Sequence, residues 1–122
     1  MVALARLRFL RGSAQKARLV VDTIRGRPVG EALAILRASR RAAARDVAKL
    51  LRSAVDNAKQ KQEGIDVDRL FVSRAFVDGA PMMKRIRPRA QGRAFRILKR
   101  SCHMTIEVDL RAPGRAPAAP AA

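Results

Sequence analysis

The chain has no tryptophan and no tyrosine, and four phenylalanines make up the 3% of its residues that are aromatic. Modules that read single-stranded RNA stack bases on aromatic rings, so the composition is poorly suited to that mode. A single cysteine excludes an internal disulfide and a cysteine-based zinc cluster, and it fits a reducing compartment. A single histidine leaves little with which to hold a metal. No apolar run reaches the roughly 18 residues of a membrane-spanning helix. The opening MVALARLRFLRGS breaks its apolar stretch with arginines and offers no signal-peptide core. A cytoplasmic protein with no metal and no cofactor is expected.

Acid is scarce as well. Ten Asp and Glu face 27 Lys and Arg, for a net charge of +17 and a pI near 11.9. Such a charge repels itself in isolation, so a polyanionic partner is the leading inference. Arginine supplies 21 of the bases, and its planar fork favours bidentate contacts with phosphates and base edges. Hydrophobic residues reach 48% of 122, which argues for a folded chain with one core.

Periodicity then places the elements. Residues 2–10, VALARLRFL, set Ala3, Ala5, Leu7 and Phe9 on one side against Arg6 and Arg8 on the other, the pattern of an edge strand with a charged face. Gly12-Ser13 interrupts it, and Ser13 is placed to cap a helix over 14–25 that Gly26 closes. Ala17, Val20, Val21 and Ile24 form its apolar stripe. Pro28 suits the first turn of a second, short helix around Leu33, Ile35 and Leu36. Ser39 reads as the cap of the longest helix, over about 40–61, where Val47, Leu50, Leu51, Ala54, Val55 and Ala58 recur at three and four. Leu70, Val72 and Phe76 alternate with Phe71, Ala75 and Val77 in a strand. SCHMTIEVDL (101–110) alternates without a fault, with Cys102, Met104, Ile106, Val108 and Leu110 on a core face and the polar residues on a wet one. RAPGRAPAAPAA (111–122) is expected to be a disordered tail.

Between the last two strands lies GAPMMKRIRPRAQGRAFRILKR, residues 79–100. Its eight bases are Lys84, Arg85, Arg87, Arg89, Arg93, Arg96, Lys99 and Arg100, and it holds no acid. Flanking strands and a central Gln91-Gly92 predict a long antiparallel hairpin. Pro88 calls for an edge position or an irregularity. Arms of about ten residues would reach on the order of 30 Å. A two-stranded hairpin is marginal in water, so this one is expected to become ordered inside folded nucleic acid with its bases on phosphates.

Three stretches together resemble the bacterial large-subunit ribosomal protein L-twenty-two family: SAQKARLVVDTIRGR (13–27), LLRSAVDNAKQK (50–61) and FVDGAPMMKRIRPRAQGRAFRILKRSCHMTIEV (76–108). The resemblance runs over about residues 4–110, and PRAQGRAFRILKR is its most specific part. It implies an α+β fold, three helices packed on a small antiparallel sheet with a long protruding basic β-hairpin. Residues 1–110 would then form one domain that includes the hairpin. It further implies a structural protein of the large ribosomal subunit. The body would sit near the polypeptide exit and the hairpin would run inward along ribosomal RNA to line the exit tunnel, supporting subunit assembly and translation. By position, Gln91, Gly92 and Arg93 would be the tunnel-facing tip, and Lys84, Arg85, Arg87, Arg89, Arg96, Lys99 and Arg100 would grip RNA. Arg11, Lys16, Arg18 and Arg25 match basic positions of the first-helix motif, and Arg6, Arg8 and His103 join the expected RNA-binding set. Neighbouring large-subunit proteins and a nascent polypeptide at the tip are the other implied partners. Gly79-Ala80-Pro81 departs from the Glu-Gly-Pro usual in the family, and Cys102 stands where serine is common.

Other chemistries find little to work with. Asp66 and Asp68 read as a turn before a strand. Cys102 falls on the apolar face as an inert thiol, and Gly26, Gly30 and Gly64 make no phosphate-binding fingerprint. No enzyme is expected. Bases on the long helix (Arg40, Arg41, Arg45, Lys49, Arg52, Lys59 and Lys61) read as a solvated face, part of which can reach RNA. The competing class is an architectural DNA-binding protein of the histone-like type, which also couples helices to basic β-arms. The spread of bases along the whole hairpin suits enclosure by RNA better than a clamp on one groove.

Overall fold

Cys102, Met104, Ile106 and Val108 are all buried on one face of β3 (Ala94–Leu110), as strict alternation requires. The computed structural model describes residues 2–110; the tail expected at 111–122 lies outside them. β3 is the middle strand of a three-stranded antiparallel sheet, between β1 (Ala3–Arg11) and β2 (Leu70–Pro88). β1 is therefore an edge strand, as its charged face predicts. The helices α1 (Ala14–Val21), α2 (Val29–Ala38) and α3 (Ala43–Lys61) complete an α+β fold. Their apolar residues join the sheet's inner face in one core, with Val20, Val21 and Ile24 beside Val47, Leu51, Met104 and Ile106.

Several boundaries differ from the sequence expectation, each for a local reason. α1 stops at Val21, not at 25. Its end tightens into shorter hydrogen bonds, Thr23 N to Val20 O and Ile24 N to Val21 O, and the Thr23 hydroxyl also donates to Val20 O at 2.6 Å. Ile24 stays fully buried beyond the helix, and Gly26 takes a left-handed turn at φ 79°. α3 begins at Ala43, with no side-chain cap. Ser39 instead closes α2, its N–H donating to Ile35 O and Leu36 O.

The sheet has three bulges, and each extra residue lies on an outer strand: between Leu7 and Leu10 in β1, and between Val72 and Arg74 and between Ala80 and Met83 in β2. One extra residue reverses which side chains face inward. Phe9 is consequently 62% exposed and not on the Ala3–Ala5 side, while Leu10 turns inward to pack on the core. In β2, Val72 and Ala75 share the buried face. The polar face of β3 is not uniformly wet. Thr105 is buried, because β3 is central and the side chains of Arg6 and Phe76 flank it from both neighbours.

β2 and β3 continue past the body as a finger. Every residue from 81 to 98 is exposed. The turn is Ala90–Gly92, with Gln91 and Gly92 at φ 65° and 69° and Arg89 N donating to Arg93 O at 2.7 Å. Since the finger buries nothing in the core, deletion of residues 83–94 is expected to leave a cooperative thermal transition at nearly the wild-type midpoint. Circular dichroism melting checks this, and a broad or much lowered transition would refute it. Leu51→Ala, at a fully buried site, is expected to destabilise by about 2–5 kcal/mol in denaturant unfolding.

Candidate nucleic-acid interface

On five rungs the finger's ladder sets a base opposite an apolar residue. Met83 pairs with Lys99, Lys84 with Leu98, Arg85 with Ile97, Ile86 with Arg96 and Arg87 with Phe95. Like charges directly across a ladder are destabilising, and this register avoids them on every rung. It also accounts for apolar residues that have no core to enter: Ile86, Phe95, Ile97 and Leu98 are spacers, all more than a third exposed. Directly paired side chains share a face and successive pairs alternate faces, so bases project from both sides. At the end, the Arg89 guanidinium lies 5.7 Å from the Phe95 ring centroid. Pro88, with no N–H to give, closes β2 beside the turn.

The body's arginines divide into two kinds. Arg18 and Arg25 lie against β2's outer edge. Arg18 Nε donates to Val77 O at 3.1 Å, and Arg25 donates through Nε and Nη2 to Ala75 O at 3.1 and 2.7 Å. The adjoining turn continues the seal, with Gly26 N bonded to Val72 O and Val72 N to Arg27 O, each at 2.9 Å. An unpaired strand edge invites pairing with another chain, and here guanidinium groups and a turn occupy it. Arg25 also pairs with Asp22 at 2.8 Å. Arg11 binds the root of the finger, Nη1 to Arg100 O at 3.0 Å. Arg6, Arg8 and Lys16 are exposed, and His103 is half-buried with its Nδ1 accepting from Phe9 N at 2.9 Å. The expected set is thus spread over the finger, its root, the sheet and α1, and four of its members, Arg11, Arg18, Arg25 and His103, also bond to distant backbone.

A further cluster lies between α2 and α3. Arg37, Arg40, Arg41, Arg45, Lys49 and Arg52 rim a groove of about 820 Å³ with an apolar floor that includes Leu33 and Leu36 and no acid in its lining. On α3, the spacing of Arg45, Lys49 and Arg52 at four and three residues was the available signal; the contribution of Arg37 depends on how α2 packs.

The sequence model of the family described as Ribosomal protein L22p/L17e matches residues 5–109, body and finger alike. The chain belongs to this family. Membership makes it a ribosomal protein of the large subunit, and the L22p/L17e family is not a family of enzymes. The histone-like alternative is not favoured. Among the described residues no helix is long and apolar enough to cross a membrane.

Two smaller expectations concern chemistry at this L22p/L17e scaffold. Asp66 Oδ1 accepts from Asp68 N at 3.0 Å, a turn closure at the entrance to β2. Cys102 is fully buried. Burial pushes its thiol above the ordinary value, the positive charge of Arg18 draws it partly back, and Asp46 adds to the rise. The folded chain therefore keeps this proton where the unfolded chain begins to lose it. Its contribution to stability is complete below the unfolded thiol pKa and is lost as the pH climbs through the range above. Iodoacetamide at pH 8 is expected to label the native protein far more slowly than the guanidinium-unfolded chain, and equal rates would show an open thiol. Replacing Arg18 and Arg25 together by alanine removes their bonds to Val77 O and Ala75 O. We expect each lost bond to destabilise by about 1 kcal/mol and the variant to self-associate on sizing columns through the bared edge of β2.

Proposed function

We propose that this protein binds large-subunit ribosomal RNA, with its body near the polypeptide exit and its finger laid along RNA toward the exit tunnel. The observation that carries the reading is the finger itself, an acid-free ladder from 79 to 100 whose bases face solvent on both sides. Bases on two faces fit a groove that encloses the finger; a clamp on a single duplex face would use one side. Lys84, Arg85, Arg87, Arg89, Arg93, Arg96, Lys99 and Arg100 contact phosphates. Gln91, Gly92 and Arg93 form the tip, the part nearest the tunnel and any nascent chain in it. Arg6, Arg8, Arg11, Lys16 and His103 extend the contact around the finger's root, and Arg18 and Arg25 combine edge sealing with a share in it. The α2–α3 groove adds a second basic surface facing RNA or a neighbouring large-subunit protein. By ordering RNA around it, the finger supports subunit assembly and hence translation.

Eight phosphate contacts make affinity fall by roughly four decades between 50 and 200 mM salt. Binding to deproteinised large-subunit ribosomal RNA is expected to show that steepness. Deletion of 83–94, which removes Lys84, Arg85, Arg87, Arg89 and Arg93, should lower the log–log salt slope by about four to five. A slope unchanged by the deletion would place the contacts elsewhere. In sucrose gradients the protein should sediment with large subunits; tracking with nucleoid DNA would overturn the reading.

A further inference from the structure

Phe9 is held in a backbone conformation that aromatic residues rarely adopt, at φ 58°. It sits in the β1 bulge between Leu7 and Leu10, and the bulge carries its ring off the core side and leaves it 62% exposed. Strain of this kind persists only where the surroundings enforce it, and it gathers at binding sites. His103, across on β3, does the enforcing. Its Nδ1 accepts from Phe9 N at 2.9 Å, and the two rings meet edge to face with centroids 4.7 Å apart at 88°. The Arg8 guanidinium lies 5.7 Å from the Phe9 centroid. On the same open sheet face Phe71 and Phe76 are half-buried, the latter with Arg74 at 5.0 Å, so Phe9 is the most exposed ring of that face.

We propose that Phe9, braced by His103 and flanked by Arg8, is a stacking platform for an unpaired nucleobase of the ribosomal RNA. The inference rests on the RNA-binding reading and adds a base contact to its phosphate contacts. An exposed ring with the Arg8 guanidinium beside it suits a flat apolar group that arrives with a phosphate attached, and a nucleotide is that group. Stacking on an aromatic ring beside a guanidinium combines dispersion with cation–π attraction. It also softens the conclusion from composition: few aromatics are present, and one of them is positioned for a base.

The test titrates deproteinised large-subunit ribosomal RNA with the full chain at several salt concentrations, comparing wild type with Phe9→Tyr, Phe9→Leu, Phe9→Gly and Arg87→Ala. A stacked base contributes affinity without releasing counterions. Phe9→Leu and Phe9→Gly are therefore expected to bind roughly tenfold more weakly at every salt concentration, with the wild-type slope, and Phe9→Tyr to match wild type. Arg87→Ala should lower the slope by about one. Glycine takes positive φ freely, so a retained melting temperature in Phe9→Gly separates lost binding from lost folding. The Tyr-to-Leu comparison decides the matter if removal of the ring loosens the bulge. Wild-type affinity in Phe9→Leu, or a loss accompanied by a shallower slope, overturns the proposal. Failure of the wild type to bind in a salt-dependent way would instead sink the RNA reading as a whole.

Discussion

The antiparallel pairing of β2 with β3 is the interaction on which the molecule depends. It runs from Leu70 opposite Leu110 to Pro88 opposite Ala94, so one ladder belongs to both body and finger. The finger half has no core of its own, and an isolated hairpin is marginal. The body half is anchored by Met104, Ile106 and Val108, buried in the core beneath α1 and α3. The stability of the exposed part is therefore borrowed through a ladder of backbone hydrogen bonds that resumes beyond the bulge between Ala80 and Met83. The ladder survives its own charge because Lys84, Arg85, Arg87, Arg96 and Lys99 are each set across from an apolar residue. Moving the pairing by one residue would break that arrangement.

What was legible in the chain follows from how local each signal is. The period-two run at 101–110 marks the central strand because side-chain alternation needs no tertiary information. The long helix shows in the three-and-four spacing of Val47 to Ala58, and the finger shows in its lack of acid. The family resemblance adds the arrangement of these parts, and the match over residues 5–109 supports it. Legibility fails where two elements compete for one residue or where a strand takes in an extra one. Ser39 has the chemistry to start a helix and is used to end one. Phe9 has the parity of a core residue until the bulge reverses it. No residue type near Leu7 announces that bulge.

Arg18 and Arg25 were legible as bases and illegible as edge seals. Their carbonyl partners lie 59 and 50 residues away in sequence. Packing α1 against β2 brings the guanidinium groups to carbonyls that no strand satisfies. A positive charge placed there does two things at once: it closes the edge by hydrogen bonding, and it repels the equally basic edge of another copy. The surplus of charge is thus part of how the body avoids self-pairing as well as how the finger meets a polyanion.

The bulge between Ala80 and Met83 falls where burial ends and the finger begins. An extra residue on one strand bends that strand and increases its twist. The place that aims the finger is therefore a short wrist at its base. Side chains beyond the wrist can vary without altering the direction in which the finger points. The length of chain within the wrist cannot, since adding or removing one residue there would turn the whole ladder beyond it.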